Sequence, residues 1–130
     1  LRTFATTTIP ANLMGKNGGL RITVGGENAG ANATTITTNF GGQDVATSTS
    51  PNGNGAFFRA VIYIVNLNST STQACDSTLV QAAATDTNGK GQSDGGQCAS
   101  INTAVDVTLL LKANTAGSNS PVNYWFVEQL

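Results

Sequence analysis

The chain has no histidine among its 130 residues, only two cysteines and three prolines, and charge on 10% of its positions. Each shortage excludes something. Without histidine there is no Ser–His or Cys–His nucleophile pair and no imidazole metal ligand. Charge at less than half the roughly 25% usual for soluble domains means that Thr, Ser, Asn and Gly must keep the surface wet. That chemistry suits crowded secreted or particulate arrays better than cytosolic enzymes. The six basic residues, Arg2, Lys16, Arg21, Arg59, Lys90 and Lys112, are scattered, and the net charge is −1. Nucleic-acid binding needs a clustered basic face, so no nucleic-acid partner is expected. The longest apolar run, Ala60–Val65, is far short of the ~20 residues that span a bilayer as a helix, so no membrane insertion is expected.

What remains is β-forming. Val, Ile, Thr, Tyr and Phe dominate the ordered-looking segments, and clusters of Gly, Asn, Asp and Ser punctuate them. About eight strands are expected: Thr3–Ile9, Leu20–Val24, Thr34–Phe40, Asp44–Thr49, Ala56–Leu67, Thr78–Ala84, Val105–Lys112 and Val122–Glu128. Turns are expected at Gly15–Gly19, Gly25–Gly30, Gly41–Gly42, Pro51–Gly55, Asn88–Gly96 and Asn114–Ser120. Short strands at this spacing predict an all-β, antiparallel, jelly-roll-like β-sandwich occupying residues 1–130 as one domain. Apolar residues at 39% supply one core. The chain opens at Leu1 with neither an initiator Met nor a signal peptide, and so reads as a module or processed form of a longer protein.

Within the strands, Val105, Val107, Leu109 and Leu111 alternate with Asp106, Thr108, Leu110 and Lys112, the period of a half-buried strand. Leu20, Ile22 and Val24 likewise share one face, opposite Arg21 and Thr23. Ala60–Val65 and Tyr124–Val127 are apolar on both faces. Such strands need cover beyond their own sandwich partner, either a second copy of the chain or a folded-over loop. Taking the copy, Val61, Tyr63, Val65, Trp125 and Val127 are the expected oligomer interface.

Three stretches carry a family resemblance. Thr8-Ile9-Pro10-Ala11-Asn12-Leu13-Met14-Gly15-Lys16-Asn17-Gly18-Gly19-Leu20-Arg21-Ile22-Thr23 resembles the opening of small jelly-roll modules encoded by tailed bacteriophages. Ile36–Gly42 is similar to a strand of that family ending in Phe-Gly-Gly. Asn102–Leu109, with the aromatic strand Tyr124–Val127, is similar to its closing pair. The order is collinear over most of the chain, with departures at Gly25–Ala33 and Cys75–Cys98. The resemblance implies a virion structural module on the particle surface, a homotrimer contacting other virion proteins, placed at a fibre tip or as capsid decoration. The opening motif also has its own physical logic. Pro10 ends a strand, since it cannot donate to a ladder, and Asn17-Gly18-Gly19 supplies positions that tolerate a reversal.

Catalysis finds little to work with. The carboxylates are Glu27, Asp44, Asp76, Asp86, Asp94, Asp106 and Glu128, and a glycosidase needs two set roughly 5–9.5 Å apart on a cleft. Asp86 and Asp94 share a Gly-rich loop, a poor platform for that geometry, so no catalytic residue is assigned. Asp86–Asp94 faintly follows a calcium loop, but Lys90 stands where an oxygen ligand belongs and Gln97 where the bidentate Glu belongs; no metal or cofactor is expected. Gly25-Gly26-Glu27 and Gly41-Gly42 lack phosphate-loop spacing and read as turns or bulges. The sequons Asn32-Ala33-Thr34 and Asn68-Ser69-Thr70 are chance matches in so Asn- and Thr-rich a chain.

Cys75 and Cys98 bracket a polar, Gly-rich segment. Pairing within the chain would close a loop worth about 3 kcal/mol and would suit an oxidising, extracellular setting. A bridge between subunits and two buried free thiols are the alternatives. Recognition of a host surface or glycan is expected from outward loops carrying Asn52, Asn54, Asn88, Gln92, Asp94 and Asn119. A decoration protein that stiffens the shell without a ligand, and an extracellular adhesive domain, are the other readings.

Overall fold

The computed structural model describes residues 2–28, 34–49, 56–82, 90–115 and 122–130. Nine strands run through them: β1 Arg2–Ile9, β2 Gly19–Asn28, β3 Thr34–Phe40, β4 Gln43–Thr49, β5 Ala56–Asn66, β6 Gln73–Ala82, β7 Lys90–Ala99, β8 Val107–Thr115 and β9 Val122–Gln129. They form two antiparallel sheets, one of four strands in the order β1-β8-β3-β4 and one of five in the order β7-β6-β5-β2-β9. The chain passes between the sheets five times and pairs strands from its two ends, β1 with β8 and β2 with β9. That winding makes the sandwich jelly-roll-like.

Residue alternation explains the layers. Leu20, Ile22 and Val24 of β2, Ala60, Ile62 and Ile64 of β5, and Leu79 of β6 point inward from one sheet. Ile36 and Phe40 of β3 and Val107, Leu109 and Leu111 of β8 meet them from the other. At the side where the sheets draw together, β4 lies against β6 and β7. There the hydroxyls of Ser48 and Ser77 bond across the core. Gly41 and Gly42, with φ of +61° and +87°, make the two-residue turn between β3 and β4, a conformation that left-handed positions favour.

Several expectations shift. Val105 lies before β8 and is exposed, because the turn at residues 102–105 delays the start of the strand. Gly25 and Gly26 do not end β2; the strand continues to Asn28, with a bulge between them opposite β9. In the opening motif the left-handed residues are Asn12 and Gly15, not Asn17-Gly18-Gly19. Gly18 and Gly19 instead allow close approach, to the Met14 carbonyl and to β5.

The segment Asn88–Gly96, expected as a turn, is strand β7 from Lys90 onward. It pairs with β6 from Gln81↔Lys90 to Gln73↔Ala99. Its composition is poor for a strand, yet the open edge of β6 offers a full ladder of backbone partners. Cys75 and Cys98, with Cα atoms 5.4 Å apart, are bonded within the chain and pin that pairing near its bulged end. The bridge is compatible with an oxidising, extracellular environment.

One end of the sandwich is held by a buried polar network. Gln73 is fully buried. Its Nε2 donates to Asn66 Oδ1 and to the Ile101 carbonyl, both at 2.9 Å, and its Oε1 accepts from the Ile101 N–H at 2.8 Å. Asn66 Nδ2 in turn donates to Thr103 Oγ1 at 2.8 Å, and Thr103 Oγ1 donates to the Thr70 carbonyl at 2.9 Å. Irregular backbone at Ile101 and at Thr70 thus has its polar groups satisfied by one network.

Two substitutions should move stability in opposite directions in urea unfolding. Gln73→Leu leaves the Ile101 N–H and C=O and the Asn66 amide oxygen without their partner, and should cost about 3 kcal/mol or more. Thr38→Val should gain up to about 1 kcal/mol, since the Thr38 hydroxyl is buried with no hydrogen-bond partner among the described residues.

Candidate functional site: an aromatic trough on the five-stranded sheet

The outward face of β5, β2 and β9 is built in lateral rows by register. Tyr124, Gly25 and Arg59 form one row, with Val80 of β6 beyond. Phe126, Thr23 and Val61 form the next, and Glu128, Arg21 and Tyr63 the third. The middle strand contributes two small residues, Gly25 and Thr23, while both flanking strands contribute large ones. A depression of about 440 Å³ results, lined by the residues of all three rows except Gly25 and Val80.

Each wall has a physical cause. A Cβ on Gly25 would lie 2.2 Å from the Tyr124 ring, so the glycine is what lets that ring lean across the sheet. Tyr124 and Phe126 follow the strand period of two, and their rings lie near-parallel, 19° apart, with centroids separated by 6.4 Å. They are 45% and 46% exposed, and Phe57 and Val80 nearby are also exposed, an uncommon concentration of apolar surface.

The third row is closed by an ion pair. Arg21 Nε donates to Glu128 Oε1 at 3.0 Å and Nη2 to Oε2 at 2.8 Å, a two-point fork. Glu128's hydrogen bond, then one to Tyr63, raise the Arg21 pKa, and the same fork holds the Glu128 carboxyl below its usual range. Arg59, one row beyond Val61, is exposed, and its guanidinium has no hydrogen-bond or ion-pair partner among the described residues. Strand β9, although at the edge, is secured at both ends. Glu27 N–H donates to Asn123 Oδ1 at 3.0 Å, Gln129 Nε2 to the Leu13 carbonyl at 2.8 Å, and Leu130 N–H to the Gly19 carbonyl at 2.9 Å.

Val61 and Tyr63 lie in the trough and Val65 further along the same row of β5. Trp125 and Val127 occupy the opposite row of β9, in register with Val24 and Ile22 of the core face, and Trp125 remains 40% exposed. The structure therefore brings Val61 and Tyr63 together with Tyr124 and Phe126, not with Trp125 and Val127. Asn52, Asn54, Asn88 and Asn119 lie outside the described residues. Gln92 and Asp94, expected on a loop, are in β7, in register with Leu79 and Ser77, because that segment completes the open edge of β6.

Arg21, Arg59, Glu128 and Tyr124 were visible in the sequence as residues but not as a group. The clue lay in the alternation of Arg21-x-Thr23-x-Gly25, a strand whose outward side chains shrink along its length. On the other sheet, Asp44 accepts from Asn39 at 2.8 Å and pairs with Lys112 at 3.1 Å, and the Asn39 bond, then the Lys112 bond, lower its pKa.

Comparison of the chain with protein-family models, with curated proteins and with solved structures finds no match.

A carboxyl whose pKa is lowered on folding stabilises the fold above its unfolded value, about 4.3 for Glu, and loses that contribution as pH falls through the folded value. Wild type should therefore unfold at slightly higher urea than Glu128→Gln at neutral pH. The two midpoints should converge as pH drops below about 4, measured by fluorescence at a series of pH values.

Proposed function

We propose that this chain is a non-catalytic attachment module on the surface of an extracellular particle, a bacteriophage virion structural protein of fibre-tip type that engages a host surface or glycan. The observation that carries the reading is the exposed aromatic trough on a disulfide-bonded sandwich: a large, preorganised contact surface whose side chains are placed by sheet register. The sequence contains no histidine. Asp44 and Glu128 are held in ion pairs, and Asp106 accepts the Ala11 N–H at 2.9 Å, arrangements that suit scaffolding better than proton transfer.

Assembly as a homotrimer is supported by the outer edge of β9, beside which no further strand lies among the described residues, and by Trp125, exposed on the row opposite the trough. Contact through that edge would leave the trough open. The second reading, a capsid decoration protein, is favoured by the same edge and by that of β1, which also has no further strand beside it among the described residues; either could add a strand from a shell protein. A clamp by an extended N-terminal arm finds no support, since Arg2–Ile9 is a paired strand of the four-stranded sheet.

Location and copy number on the intact virion, seen by cryo-electron microscopy, test the proposal. A few trimers at the end of a fibre are expected. Hundreds of copies at capsid symmetry axes would replace the attachment reading with the decoration one.

A further inference from the structure

We infer that the trough is a subsite for a neutral hexose saccharide, with the sugar stacked on Tyr124 and Phe126 and its hydroxyls bonded by Arg59, Tyr63 and the Arg21–Glu128 fork. The inference rests on the attachment reading and moves its contact from the loops to the sheet face.

Three observations select this class of ligand. The first is shape. The depression is open along the sheet and floored by Thr23, so a chain-like ligand can lie in it with one side in water. A small apolar molecule would instead need enclosure over most of its surface.

The second is the pairing of chemistries. Two exposed rings stand along one wall, and the other wall and the closed end carry donors and acceptors. A pyranose presents the same division, with apolar C–H faces and a rim of hydroxyls. The groups are also set before any ligand arrives. Tyr124 is seated against Gly25, and Arg21 is held at two points by Glu128, so little side-chain entropy remains to be lost.

The third is charge. By register and exposure the outward face of β2, β5, β6 and β9 carries Arg21 and Arg59 against Glu27, Asp76 and Glu128. Both signs are interspersed, and a polyanionic glycan would meet repulsion without a compensating positive field. Fixed donors and acceptors of both kinds instead match hydroxyls, which take either role.

The test uses the full chain on an array of gluco-, galacto- and manno-oligosaccharides, with polysialate, oligouronates and oligoglutamate as charged counterparts. Titration of the best saccharide follows, read by amide shifts. Binding to a neutral hexose oligomer is expected, with shifts centred on β2, β5 and β9. Tyr124→Ala and Arg59→Ala should each weaken it at least tenfold, and Lys112→Ala on the other sheet should leave it unchanged. Gly25→Ala, which drives a methyl into the Tyr124 ring, should weaken it similarly while the amide spectrum stays that of the folded chain.

Absence of binding to every neutral saccharide overturns the inference, as does tighter binding of the charged probes. So does full affinity in Tyr124→Ala, or concentration-dependent self-association that shifts the trough residues and marks a second copy as the occupant. An array without binding, beside microscopy that places the chain at a fibre tip, would sink the saccharide subsite and leave the attachment reading standing.

Discussion

Gln73 does for irregular backbone what a neighbouring strand does for β-sheet. Its side-chain amide exchanges two hydrogen bonds with Ile101, and its remaining donor reaches Asn66. The connection from β7 to β8 crosses between the sheets at this point, so its polar groups are drawn away from water and must be paired internally. Asn66, Thr103 and the Thr70 carbonyl extend the same solution to neighbouring turns, and the Asn12 N–H donates to the Thr103 carbonyl at 2.9 Å. The position of β8 in one sheet and of β5 and β6 in the other thus depends on one buried amide. Cys98, three residues before Ile101, is tied to Cys75, two residues after Gln73, so the covalent bridge and the polar network hold the same end.

The trough depends on that frame through β2. This strand lies between β5 and β9, with Leu20, Ile22 and Val24 filling the core and Arg21, Thr23 and Gly25 facing out. A one-residue slip of either neighbour would carry its aromatic and charged residues to the other face. The inward row therefore fixes where Tyr63, Arg59, Tyr124 and Phe126 stand, and the burial of the core positions the contact surface. The sandwich supplies a rigid platform, and the outward row supplies what could be recognised.

The alternation in Leu20–Val24 and Val105–Lys112 was legible because period two is a local property, and both inward rows are buried as their pattern implied except at Val105, which lies before β8 and is exposed. The hairpin at Gly41–Gly42 was legible for a similar reason, since two adjacent residues without a Cβ suit positive φ. Strand β7 was not. Its Gly, Ser, Asp and Gln residues carry no strand signal, and the edge of β6 that recruits them is visible only after folding. The trough was half legible. That Ala60–Val65 and Tyr124–Val127 are apolar on both faces is written in the chain, but their separation by β2, rather than direct pairing, is not.

By itself the sequence determined the all-β class, most strand positions, the inward rows, the scarcity of charge and the lack of imidazole chemistry. All of these follow from residue type and short-range spacing. The tertiary structure alone decided which strands are neighbours, that Cys75 meets Cys98 within one chain, that Gln73 is a structural linchpin, and that Gly25 faces Tyr124. Those facts join residues far apart in the chain, and strand pairing between them is set by burial and backbone hydrogen bonding over the whole molecule, which no local pattern encodes.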